Sequence, residues 1–565
     1  FKFAGGAMAG VLFTPAPWRL ITDTALWSEN WPGIPRPLRG EIRTKFTHCA
    51  LCPAGCAVRA RCVGEQPVSL AGVGGGLCPF GLGAHHLPYH PARLKHGPVE
   101  EAAAAVAKRR DQGIALLDLN PGRTASWTYR RAMQSMNGVY VAETQPEAID
   151  LRAARTVLSI GVPLLDGWGT PAKVFAAREN FRLIQVEPME SRTAVLADEW
   201  IPIAPGAESA FAQGILQALQ QGGKMTGLAK ELVENGPSVV LGDAPEIAEI
   251  NRMLGAYGKT IVARQEAPVA DSWKRTAAIT RLADVPDGSL RVLLIDEASA
   301  VTYIPWHRIE RKLVRDNPLV VTFAAFRGGY ARYAKYALPV AIYPETTDDI
   351  PPAIDRVYAS FKLSVPLVKP PAGMANLAEF AGALAGVQAG VQAERALRDR
   401  AGEIFRTGQG TVATYADGKE TPVKDLTADT FWKALNEGGE WKCARKPARP
   451  GPRSRPEASP AESAAGLPLV AIAQPFTPAG SPLMTKLYQE SNLRLAPNRV
   501  ALCPADAVAA GVRHGSRAIL QTRLGKCAVE VTVDPAVPAG AVQVGSSPGI
   551  QDVCGPAARA KVVPA

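Results

Sequence analysis

The sequence predicts an α/β protein in which two doubly wound parallel-sheet units stand between a cysteine-bearing N-terminal domain and a C-terminal β-barrel. Three observations carry this. From about residue 100 to 330, short apolar runs alternate with helix-length stretches, the pattern of parallel strands joined by crossover helices. Ahead of them, three cysteines fall within eight residues and a fourth follows downstream. Beyond residue 466, apolar and polar residues alternate between frequent Gly and Pro, as in short antiparallel strands with tight turns.

The cysteine segment reads HCALCPAGCAVRARCVGEQPVSLAGVGGGLCPFG, placing Cys49, Cys52, Cys56 and Cys78 in the spacing C-x2-C-x3-C-x21-C. A tight loop with three thiolates, closed by a fourth from further along, suits a [4Fe–4S] cluster, which takes one sulfur per iron. Gly55 lets the backbone turn before Cys56. The competing reading is two disulfides. Three cysteines so close together disfavour it, and a CxxC redox pair belongs in a βαβ context that this segment lacks. The other five cysteines (Cys62, Cys443, Cys503, Cys527, Cys554) are scattered and read as core or strand residues. No second ligand set accompanies the first, so one cluster is expected.

The α/β body begins with an Ala-rich helix at Glu101 to Arg110 and the apolar run Gly113 to Leu119. Further buried parallel strands are expected at Thr156 to Gly161, Phe181 to Pro188, Ser238 to Gly242, Lys259 to Arg264, Arg291 to Asp296 and Pro318 to Phe326. Several end in Gly or an acid, which puts loops at the carboxyl edge, where such sheets bind ligands. Before this body, HHLPYHPARLKHGPV carries His85, His86, His90 and His96. With Pro breaking any regular face and no CxxCH motif, these read as surface loop residues rather than haem or metal ligands.

Two segments lie outside the folded units. FKFAGGAMAGVLF resembles the apolar part of an export signal, with Phe1-Lys2 as the tail of a twin-arginine motif. It is too short to span a bilayer; its small residues suit close helix packing, and Trp18, Trp27 and Trp31 suit a lipid boundary. Retention of this segment against a membrane subunit is the expectation. Residues 441–466, rich in Pro, Arg and Ser, read as a basic linker or surface loop. The net charge of +11 comes with no zinc finger or aromatic RNA-binding motif, so no nucleic acid is expected as partner. The domains are then 1–40 (membrane-proximal segment), 41–97 (cluster domain), 98–150 with 286–440, 151–285, the linker 441–466 and the barrel 467–565.

The cysteine loop, YHPARLKHG, ADEWIPIAPGAESAFAQGIL, ALPVAIYPETTDDIPP and the terminal β domain occur in the order seen in the molybdopterin oxidoreductases, which the chain resembles over nearly its whole length. The resemblance implies two Rossmann-like domains after the cluster domain, a C-terminal barrel, and a bis-pterin molybdenum cofactor between the domains. This sequence departs from that pattern in the cofactor corridor. Phe80 stands where members commonly carry the Lys of C-x-K-G. Gly161-Val162-Pro163 replaces a G-x-N turn, and Glu187-Pro188-Met189 replaces D-P-R, losing an Arg able to hold a phosphate. No Cys lies between Cys78 and Cys443 to ligate molybdenum, which leaves serines such as Ser126 or Ser135. Molybdopterin and molybdenum are therefore expected to be absent, with side chains filling part of the corridor.

FKFAGGAMAGVLFTPAPWRL, LWSENWPGIP, SIGVPLLDGWGTP and MTKLYQESNLR look like the molybdopterin-like subunits of periplasmic menaquinone reductase complexes. That likeness implies an electron-transfer and structural subunit on the periplasmic side of the inner membrane. Its implied neighbours are a ferredoxin-like iron–sulfur subunit, a multihaem cytochrome c and an NrfD-type quinone-binding membrane subunit. A related region of alternative complex III stays in view. So does a catalytic molybdenum subunit of polysulfide reductase or formate dehydrogenase type.

Overall fold

The computed structural model describes residues 40–565 except 75, 91, 223–225, 275, 387–392, 445–447, 451–465, 472–497, 546 and 555–558. The expected membrane-proximal segment (but for Gly40) and most of the basic linker lie outside the described residues. Among those described, no helix is long and apolar enough to cross a membrane.

The chain starts with a three-stranded antiparallel sheet of Ile42–His48, Ala57–Val63 and Gln66–Gly72. Its apolar face, with Val58, Ala60 and Leu70, packs beneath the cysteine loop.

The larger parallel sheet has six strands in the order Ile279–Thr280, Val139–Val141, Ile114–Asp118, Val292–Asp296, Leu319–Ala324 and Tyr336–Pro339. Ile114–Asp118, Val292–Asp296 and Leu319–Ala324 are buried at every residue, because helices and loops cover both faces of a parallel sheet. On one face Val106, Met133 and Phe380, from three helices, pack with Leu116 and Leu294. On the other, Leu282, Ile309 and Tyr330 pack with Leu117 and Leu293. The smaller parallel sheet runs Ser238–Leu241, Thr156–Ile160, Arg182–Glu187 and Glu199–Pro202, again covered on both faces.

Two parts of the body differ from the sequence reading. The segment expected as a parallel strand at 259–264 forms Ile261–Ala263, paired antiparallel with Glu147–Ile149 in a separate two-stranded sheet. The stretch assigned to the larger Rossmann-like unit, 286–440, contains most of a further five-stranded sheet. Its strands are Asp348–Asp349, Ala359–Ser364, Glu440–Cys443, Thr411–Ala413 and Glu420–Pro422, and every pairing is antiparallel. Trp441, Phe361 and Phe431 form its core.

The C-terminal unit is a closed six-stranded barrel around Val500, Leu520, Val531 and Val542. It docks on the larger parallel-sheet unit through Asp552, which accepts hydrogen bonds from Tyr303 (2.7 Å), Tyr333 (2.7 Å) and the Trp306 N–H (2.8 Å) and pairs with Arg332.

Candidate metal centre

Pairing of Ile42–His48 with Ala57–Val63 ends at His48 and Ala57, so Cys49 to Cys56 form the hairpin connection. The Cys49 N–H donates to the Cys56 carbonyl at 2.8 Å, closing this loop. Gly55 holds φ +55°, and a Cβ there would sit 2.4 Å from the Lys362 Nζ. Left-handed backbone and close approach both require glycine. Cys78 precedes the helix Pro79–Gly83, and its Sγ accepts the Gly81 N–H at 3.5 Å. Backbone N–H groups also reach the other thiols: Leu51 for Cys49, and Ala54 and Gly55 for Cys52.

All nine cysteines are free. The four loop thiols lie close enough for the charge of one to act on the others. Burial, reinforced by that repulsion, pushes the Cys49 thiol well up and that of Cys52 to about 12. Thiolates bind metal only when deprotonated, so a cationic core would supply the charge this site lacks. Among the described residues no three His, Cys, Asp or Glu side chains close around a single ion. Convergent free thiols, each with a backbone donor or a buried setting, nonetheless fit a polynuclear cluster that takes one thiolate per iron.

Tyr343, Ser360, Lys362 and Ser364 surround the loop. Lys362 is 1 % exposed and donates from Nζ to the Gly55 carbonyl at 2.5 Å. Burial, then the charge of Arg356, drives its pKa well below the usual lysine value. The hydroxyls of Tyr343, Ser360 and Ser364 are buried and have no hydrogen-bond partner. Ser360, Lys362 and Ser364 were missed in the sequence, where ASFKLS carries no motif.

A cavity of about 640 Å³ opens beside Leu51, Cys52 and Pro53. Residues following Ile114–Asp118, Val292–Asp296 and Leu319–Ala324 line it, which places it at the carboxyl ends of parallel strands as the sequence implied. Part of its charged wall is internally paired, while Arg130 and Arg264 donate to the Ala277 and Pro352 carbonyls. Arg123, 2 % exposed, reaches Asp296 at 2.5 Å, Asp348 at 2.6 Å and Asp118 at 3.5 Å, while Arg400 pairs Asp349 at 2.9 Å. Burial opposes the Arg123 charge, and Asp348 and Asp296 more than restore it. Burial likewise raises Asp348 to about 6 against the pull of Arg123.

Ser126 lines this cavity, but its hydroxyl is given to Asp118 at 2.6 Å. Ser135 is exposed at the end of the helix Thr124–Ser135. Glu187 accepts from Ser191 N–H at 2.8 Å and Gln185 at 2.7 Å, capping its own turn. Met189 packs on Ala501, Cys503 and Val537 of the C-terminal unit. Phe80 packs with the apolar cluster of the cysteine domain, and Val162 belongs to the core of the smaller parallel-sheet unit. Of these residues only Ser126 lines the cavity. Of the loop histidines, His85 and His90 are half-buried and His86 and His96 exposed.

These units in this order make the architecture of the molybdopterin oxidoreductases. Acetylene hydratase from Pelobacter acetylenicus superposes with a TM-score of 0.60 over 92 % of this chain and 100 % of that one, at 12 % identity. In sequence, the chain is 26 % identical over 486 residues to the menaquinone reductase, molybdopterin-binding-like subunit of Nitratidesulfovibrio vulgaris (strain Hildenborough), spanning 67 % of this chain and 70 % of that protein. No family model matches the chain.

Proposed function

We propose that this chain is an electron-transfer and structural subunit of a membrane-bound respiratory menaquinone reductase. On this reading it carries one [4Fe–4S] cluster on Cys49, Cys52, Cys56 and Cys78, within a molybdopterin-oxidoreductase scaffold that holds no molybdenum. The approach of three free thiols on one hairpin loop to a fourth at the start of the helix Pro79–Gly83 carries the reading, and the likeness to a menaquinone reductase subunit supports its setting. When bound, the cluster supplies one-electron transfer. The protein's part is to hold the loop through Gly55 and Lys362, to exclude water from Cys49, and to direct backbone N–H groups at the sulfurs.

The second reading, a catalytic molybdenum subunit, draws on the cavity at the strand ends. Its size suits one small ligand rather than a pair of dinucleotides, and Ser126, Glu187 and Met189 already have partners within the chain. The proposed setting is the periplasmic side of the inner membrane, with a ferredoxin-like iron–sulfur subunit, a multihaem cytochrome c and an NrfD-type membrane subunit as neighbours. Affinity purification of the tagged chain from native membranes tests this. Co-purification with those three subunits and menaquinone reduction by the complex is the expected result. A chain recovered without a quinone-binding subunit would overturn it.

A further inference from the structure

We propose that Lys362 and Tyr343 set the reduction potential of the cluster, the ammonium by its charge and the phenol by a hydrogen bond. The inference rests on the cluster assignment above.

Ala359–Ser364 is buried at every residue, and in a strand alternate side chains share a face. Phe361 and Leu363 enter the core of the antiparallel sheet, which leaves Ser360, Lys362 and Ser364 on the opposite face. There the Lys362 Nζ meets the Gly55 carbonyl. No described carboxylate forms an ion pair with it. Neighbouring acids are already engaged: Asp355 accepts the Thr170 N–H at 2.8 Å and its hydroxyl at 3.3 Å, and Glu440 pairs with Arg356. A buried amine without a carboxylate partner keeps its charge only where another anion lies beside it. Four thiolates around an iron–sulfur core provide one.

Tyr343 gives the second, independent observation. It is 5 % exposed, lies in the same apolar cluster as Cys49 and Leu51, and its hydroxyl has no partner. The charges of Cys49 and Cys56 act on it. An unpaired buried hydroxyl is costly, and a cluster sulfur would accept its proton.

Reduction adds one electron to the cluster, so nearby positive charge and hydrogen bonds favour the reduced form and raise the potential. Lys362→Gln keeps an N–H donor for the Gly55 carbonyl and removes only the charge. Tyr343→Phe removes only the hydroxyl. A redox titration followed by electron paramagnetic resonance, on the full chain with its cluster loaded, reads both. For Lys362→Gln the reduced-to-oxidised ratio at the wild-type midpoint should fall about tenfold, or about 59 mV for a one-electron couple. Tyr343→Phe should shift the ratio in the same direction by about twofold. Wild-type midpoints in variants with wild-type iron content would overturn the proposal. If Lys362→Gln retains no cluster, the Tyr343→Phe midpoint decides alone. A wild-type chain that binds no cluster would instead overturn the cluster assignment itself.

Discussion

On the cavity wall, Arg123 divides its guanidinium among Asp118, Asp296 and Asp348, and Arg400 answers Asp349. Beside the cysteine loop, Lys362 is equally buried and has one carbonyl and no carboxylate. The charged groups of the first region are engaged with one another. The second leaves a cation, a phenol and four thiols to be completed from outside. On the proposed reading, the loop with surplus donors is the site, and the paired part of the cavity wall is framework.

Removing Arg123 is the strongest way to break this comparison. Arg123→Leu would leave three carboxylates around an empty position, and loss of one partner from a buried ion-pair network costs about 3–5 kcal/mol. Urea denaturation should show that loss whether or not iron is bound. A loss seen only in the iron-loaded chain would place Arg123 with the cluster instead of the framework.

Glu297 sharpens the contrast with Lys362, because it is a buried acid whose donors come from its own chain. It accepts from Thr322 at 2.7 Å and from the Tyr330 N–H at 2.9 Å. Burial still raises its pKa from 4.5 to about 8. The folded state therefore favours the protonated form, a stabilisation complete below pH 4.5 and lost as pH rises through 8. Stability should decline between pH 5 and 8 by on the order of a few kcal/mol, and Glu297→Gln should flatten that slope in thermal unfolding. A slope unchanged in the variant would assign the decline to other groups.

The smallest effect is expected at Gly55. An alanine there takes a left-handed backbone at a cost of about 1–2 kcal/mol and crowds Lys362 and Ile350. Iron loss to a chelator should run about tenfold faster in Gly55→Ala, with the urea midpoint nearly unmoved. An unchanged rate would separate the loop's shape from iron retention.

Much of this was legible in the sequence, for reasons that differ by region. Runs such as Ile114–Asp118 and Val292–Asp296 are apolar up to their final Asp because both faces of the sheet are covered, and they read directly as parallel strands. The C-x2-C-x3-C spacing of Cys49, Cys52 and Cys56 is local and stands out in the sequence. Lys362 does not. It enters the site only because Ala359–Ser364 pairs with Glu440–Cys443 across a long stretch of chain and its face is fixed by that register. Lys259–Arg264 was misread for a related reason. A three-residue apolar strand carries no sign of whether its partner is parallel or antiparallel, and its partner is Glu147–Ile149. In HHLPYHPARLKHG the histidines drew attention, yet the buried charged residue is Arg93, which bonds Glu345 at 2.5 Å and the Ala325 and Val340 carbonyls. A single arginine in a polar loop gives no sequence signal of such burial.

Metal analysis of the chain purified within its native complex tests the central claim most directly. About four irons and four acid-labile sulfides bound by this chain, lost in Cys52→Ala, with molybdenum and tungsten far below one atom per chain, is the predicted result. Molybdenum or tungsten near one atom per chain, with a pterin dinucleotide in the denatured extract, would contradict it and restore a catalytic role to the cavity.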